Sequence, residues 1–162
     1  MILGGGQERN KRAGTENVYG IVGFAKALEL AMERFEIDRH QINSLKNYMF
    51  RQLINNLDDV SFNGDVGINS LYTVLSVSLL KTEKSHMLLQ HLNEKGICVS
   101  GGSACSAGGA SHVINALGAD DDRMTIRFSF SRYNTRTEVD QVVAVLQQFL
   151  QTENETVLNK SI

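Results

Sequence analysis

The sequence predicts a small α+β domain in which one mostly antiparallel sheet is packed against helices. Three observations predict it. Apolar residues recur at helical spacing in several stretches, short runs of alternating or β-branched residues lie between them, and the order reads ααβ-β-α-β-α-β-α. A chain of 162 residues with 42% hydrophobic and 21% charged side chains is long enough to bury one core.

From Gly20 the spacing is helical, with Ile21, Phe24, Ala25, Leu28, Ala31 and Met32 on one face. A second helix is predicted from Asp38, whose carboxylate can cap while Gln41 reaches back, with Ile42, Leu45, Met49 and Leu53 as its apolar stripe. Both helices are expected to form core. Val60–Phe62 reads as a short strand ending at the turn pair Asn63-Gly64, and Leu71–Leu80 is the strongest strand. Ser85–Lys95 reads as a helix with Leu88 and Leu92 inward and Gly96 as its stop. Ile97-Cys98-Val99 follows as a brief strand, and the β-branched neighbours of Cys98 place that thiol in the core. Ser111–Leu117 is a short helix stopped at Gly118, and Met124–Phe130 is the last strand. Thr135 and Glu138 form a capping box for a final helix carrying Val139, Val142, Val143, Leu146, Phe149 and Leu150, with fraying expected from Gln151.

The composition excludes several functions. A net charge of −2 argues against a nucleic-acid partner. No apolar run reaches the roughly 20 residues that cross a bilayer, and the first residues lack the pattern of a secretory signal. Two cysteines outside any CxxC spacing suit a reducing, cytoplasmic setting. The histidines and cysteines match no zinc spacing, so no metal site is expected.

Two residues stand out chemically. Cys105 sits in Ser100–Gly109, a run of serine, glycine and alanine that can be neither a regular strand nor a core helix. A thiol on such a loop can be either incidental or a reactive group that meets a small molecule in a cleft and then reaches a second protein. Arg127 lies between Ile126 and Phe128 in the last strand. A guanidinium there must pair with a carboxylate, face solvent on an edge strand, or wait for a ligand, and its fork suits the carboxylate of an amino or keto acid. The segment Gly4–Asn17 is glycine-rich with three cations and can either surround an anion or form a solvated tail.

Taken together, Gly4–Arg9, Arg12-Ala-Gly-Thr-Glu-Asn-Val18, Val99–Ser106, Ser111-His-Val and Ile126-Arg-Phe-Ser129 resemble the cysteine desulfurases, pyridoxal-phosphate enzymes of the class V aminotransferase family. The resemblance runs from about Gly4 to about Leu150. It implies the C-terminal part of such an enzyme: residues 1–19 as a loop from the end of the large cofactor domain, 20–151 as the small domain of a fold-type I enzyme, and 152–162 as a frayed tail. It implies that Cys105 is the nucleophile that takes sulfur from L-cysteine, leaving L-alanine and a persulfide, and that Arg127 clamps the substrate carboxylate. Thr15, with Arg12 nearby, is implied to contact the cofactor phosphate in the neighbouring subunit of a homodimer. The lysine that binds pyridoxal phosphate in that family lies upstream of the Gly-Gly-Gly-Gln-Glu motif, so this chain is expected to be inactive alone. The persulfide is expected to pass to an acceptor protein of iron–sulfur cluster assembly or tRNA thiolation. The alternative is a non-catalytic persulfide carrier or interaction module of the same fold.

Overall fold

The computed structural model describes residues 2–67, 69–101, 111–118 and 120–160, with side chains to 151. The elements are α1 (Gln7–Asn10), α2 (Val18–Asn56), β1 (Ser61–Phe62), β2 (Val74–Leu80), α3 (Leu88–Glu94), β3 (Ser100–Gly101), α4 (His112–Ala116), β4 (Arg123–Ser129) and α5 (Arg136–Lys160). The chain divides into two compact units, Met1–Ile37 and Asp38–Ile162.

The second unit holds the core. Its sheet has the order β1-β2-β4-β3 with every pairing antiparallel. Side chains alternate between faces along a strand, and here one face is apolar. Leu75, Val77 and Leu79 of β2 meet Phe128, Ile126 and Met124 of β4 in register. That face packs against Met49 and Leu53 of α2, Leu88 and Leu92 of α3, and Val139, Val143 and Leu146 of α5. Leu53, Leu88, Leu92 and Leu146 are wholly buried, and each such side chain contributes roughly 1.5–3 kcal/mol. The opposite face carries Ser76, Thr125, Arg127 and Ser129, with Asn63 Nδ2 donating to Ser76 Oγ and Thr125 Oγ1 at 3.1 and 3.2 Å.

Several caps work as the sequence predicts. Gly96 takes φ +75, and the amides of Gly96 and Ile97 return to the carbonyls of Asn93 and Leu92 at 2.9 Å, a Schellman end to α3. Thr135 N donates to the Glu138 carboxylate at 2.7 Å while Glu138 N donates to Thr135 Oγ1 at 3.3 Å, closing the predicted box.

Three expectations are corrected. The two predicted N-terminal helices are one, Val18–Asn56, because Asp38 and Gln41 do not cap. Their side chains instead take Arg132, whose Nη1 donates to Asp38 at 3.1 Å and whose carbonyl accepts from Gln41 at 2.8 Å. Ile21, Phe24, Leu28 and Met32 are exposed rather than core. Cys98 is exposed as well, because the chain leaving the Gly96 turn joins the ladder only at Ser100, so Ile97–Val99 is not a strand. The last helix has helical backbone to Lys160.

Candidate active-site cleft

Arg127 is fixed by the sheet. β4 lies between β2 and β3, so the edge-strand reading of this residue is wrong, although its side chain is exposed. Its flanking residues, Ile126 and Phe128, are buried, and the two-residue period sends the guanidinium to the other, polar face. Across the ladder it faces Ser76 of β2 and Ser100 of β3. Among the described residues its one hydrogen bond is a long one, 3.4 Å from Nη2 to Ser100 Oγ, and no carboxylate neutralises it. A pair of donors this weakly held stays open to a ligand.

The guanidinium borders a cleft of about 440 Å³ that also holds Asp65, Ser70, Leu71, Ser76 and Ser129. One wall is held by a residue that the sequence reading missed. Lys46 of α2 is 2% exposed, and its ammonium donates to Ser70 Oγ at 2.6 Å and to the Leu71 carbonyl at 2.9 Å. Burial pushes its pKa down, and the nearby Asp65 carboxylate offsets part of that. The signal was present: a lysine between Leu45 and Met49 occupies an inward position of an apolar stripe.

Cys105 lies outside the described residues, as does the rest of 102–110. β3 pairs Ser100 with Arg127 and Gly101 with Ile126, so the last described residues before 102–110 lie beside Arg127 in the ladder. Three residues separate Gly101 from Cys105 in the sequence. A Cβ added at Gly101 would stand 2.5 Å from Leu89 Cδ1, so a larger residue there requires the partly exposed Leu89 side chain to move aside.

The N-terminal loop belongs to the first unit. Glu8, Arg9 and Asn10 all adopt left-handed φ, an unfavourable run for side-chain-bearing residues. Arg12 is held inside the loop: Nη1 donates to the Gly14 carbonyl at 2.6 Å, Nη2 pairs with Glu16, and Glu8 lies 3.6 Å away. Thr15 is exposed. As a cradle for pyridoxal phosphate the described residues do not suffice. The Arg12 charge is matched by two carboxylates, and the one buried amine, Lys46, is occupied by Ser70 and Leu71. Of the two loop residues implied to hold the cofactor phosphate, Thr15 is the one with no side-chain hydrogen bond or ion pair among the described residues. Cys98 borders a separate cavity of about 340 Å³ with Phe128, Thr135 and Glu138. No group of three or more metal-ligating side chains occurs among the described residues, and no described helix is long and apolar enough to cross a membrane.

Residues 5–142 match the aminotransferase class-V family, and the chain belongs to that family. Within it, the chain is similar to proteins named cysteine desulfurase. The one from Trichormus azollae is 37% identical over 155 residues, covering 93% of this chain and 38% of the relative. Cysteine desulfurase IscS of Dictyoglomus turgidum is 36% identical, over 93% of this chain and 39% of its own. Among solved structures, a NifS-like protein superposes with TM-score 0.75 at 34% identity, covering 94% of this chain and 38% of the other. The NifS-like protein of Rickettsia africae gives TM-score 0.76 at 26% identity, covering 93% and 39%. The chain thus spans a little over a third of the length of the curated relatives it matches.

Proposed function

We propose that this chain is the C-terminal, sulfur-accepting part of a cysteine desulfurase. The observation that carries the reading is the placement of Arg127: a weakly held guanidinium, in a cleft that also presents Asp65, on the strand that pairs with Ser100 and Gly101, which precede the Cys105 segment in the sequence. One cation and one anion in a single cleft match the two charges of a free α-amino acid.

In this reading Arg127 binds the carboxylate of L-cysteine and orients its side chain toward Cys105. The Cys105 thiolate attacks the substrate sulfur and an S–S bond forms. The C–S bond breaks with its electron pair on carbon, which takes a proton to become the methyl group of L-alanine, and a persulfide stays on Cys105. A free thiol of pKa about 8.5 is mostly protonated at neutral pH, so the cleft must favour the thiolate. The described residues supply no electron sink for that carbon, and pyridoxal phosphate with its lysine belongs to the remainder of the enzyme. Of the two loop residues assigned to the cofactor phosphate, Thr15 keeps that role, while Arg12 shapes the loop through Glu16.

Mass spectrometry of Cys105 is the test. The chain assembled with a cofactor-bearing portion, pyridoxal phosphate and L-cysteine gains one sulfur on Cys105 and releases L-alanine, and Cys105→Ser abolishes the gain. Sulfur gained only from a separate, complete desulfurase would make the chain a carrier instead. No added sulfur under either condition would overturn the proposal.

A further inference from the structure

The sheet register fixes where Arg127 stands in its cleft. Two more of the polar groups that line the cleft, Asp65 and Ser70, come instead from the connection between β1 and β2, residues 63–73, which has no helix or strand among its described residues. Such a connection places its side chains only as well as its ties to the scaffold allow.

Those ties converge on one buried ammonium. Lys46 Nζ donates to Ser70 Oγ at 2.6 Å and to the Leu71 carbonyl at 2.9 Å. Ser70 Oγ in turn donates to the Gly67 carbonyl at 2.7 Å, and the Gly67 amide donates to Asp65 Oδ1 at 2.7 Å. This run of bonds begins on a turn of α2 whose next inward residues, Met49 and Leu53, are buried in the core, and it ends on the one carboxylate that lines the cleft among the described residues. Stability does not account for a lysine at its root. Lys46 is 2% exposed, and keeping a charge there costs about as much as its hydrogen bonds return, so an apolar side chain of similar length would serve the core as well. An apolar side chain would not select one arrangement of residues 65–71.

We propose that Lys46 is a positioning residue for the substrate: through Ser70 and Gly67 it sets where Asp65 stands relative to Arg127, and so the spacing at which the cleft receives the ammonium and the carboxylate of an amino acid. The proposal rests on the function proposed above and deepens it by naming what holds the anionic half of the cleft.

The experiment measures L-alanine release by the assembled enzyme over a range of L-cysteine concentrations. Lys46→Met should raise KM about tenfold with kcat changed less than about twofold, since Arg127 and Cys105 are untouched. A merely structural loss would lower the amount of active enzyme, and hence kcat, at unchanged KM, and would overturn the proposal. Lys46→Arg keeps a charged donor and should bring KM back to within about threefold of wild type. Ser70→Ala leaves the ammonium in place and breaks the middle of the run, so it should raise KM about threefold alone and add nothing in the Lys46→Met background. Effects that multiply instead would put Ser70 on the substrate independently of Lys46 and overturn the proposal. A wild-type KM in Lys46→Met or in Ser70→Ala would leave the sulfur-transfer reading standing and overturn the positioning role. If the wild-type assembly transfers no sulfur to Cys105, the sulfur-transfer reading falls, and titration of this chain with L-alanine, followed by NMR shifts of the Arg127 guanidinium, decides the positioning role alone. Binding weakened about fivefold or more by Lys46→Met would uphold it, and equal affinity, or no binding to the wild type, would overturn it.

Discussion

Lys46→Met separates two opposing effects at the wall of the cleft. The substitution removes an ammonium that donates to Ser70 Oγ and the Leu71 carbonyl, and hydrogen bonds to charged groups contribute about 1.5–3 kcal/mol each. It also removes a charge held at 2% exposure, whose burial costs several kcal/mol, and replaces it with an apolar chain of similar length. The terms oppose, so the net change at pH 7 should stay within about 1 kcal/mol, whereas Lys46→Ala adds a cavity and should cost about 2 kcal/mol or more. The pH dependence identifies the cause. Burial lowers the folded-state pKa of Lys46, so the unfolded chain binds that proton more tightly. The wild type therefore gains stability as pH rises from the folded pKa toward the unfolded value of about 10.4, and Lys46→Met has no such gain. Urea unfolding of both proteins from pH 7 to 10 gives the difference curve, in which the other titrating groups cancel. A flat difference would refute the burial argument, and a loss above about 3 kcal/mol at pH 7 would show that the two hydrogen bonds outweigh it. Amide exchange at Ser70 and Leu71 should quicken in the variant, since the wall loses its tie.

Two further outcomes follow from the site and its frame. In the assembled enzyme Arg127→Ala should raise KM for L-cysteine about a hundredfold, because two charge-assisted hydrogen bonds at about 1.5 kcal/mol each are lost. Arg127→Lys should recover only part of that, since an ammonium cannot reproduce the fork, and steady-state kinetics with both variants checks this. In the frame, Thr135→Ala should lower stability by about 1 kcal/mol, read by thermal unfolding. The Glu138 carboxyl is held below its usual pKa, first by the Thr135 backbone N–H and next by the Asn134 side chain. Its contribution is therefore present above the unfolded value of about 4.3 and is lost as pH falls through the folded one. Glu138→Gln should be less stable than wild type at pH 7, and the gap should narrow as pH falls below about 4.3.

Local chemistry was legible wherever its partners are close in sequence. The box at Thr135 and Glu138 and the glycine stop at Gly96 involve neighbours within five residues, and the alternation of Leu75, Val77 and Leu79 records the buried face of a strand directly. Partners far along the chain left no such trace. Asp38 and Gln41 have the spacing of a cap, yet both are taken by Arg132, more than 90 residues away. Cys98 has the neighbours of a core strand, yet the Schellman turn before it carries the chain two residues further before pairing begins. Lys46 was passed over because a lysine on an apolar stripe has meaning only once Ser70 and Leu71 are known to face it.

The same reasoning explains why the stripe from Ile21 to Phe35 looks like core in the sequence and is exposed here. Apolar spacing records that a surface must be covered, and it holds no information on which polypeptide covers it. For Ile42, Leu45, Met49 and Leu53 the cover lies in the Asp38–Ile162 unit, and they are buried. The Val18–Ile37 residues keep that spacing without such cover. Arg127 depends on nothing of the kind. It needs only β2 and β3 as strand neighbours, and with both present its guanidinium stands open on the polar face.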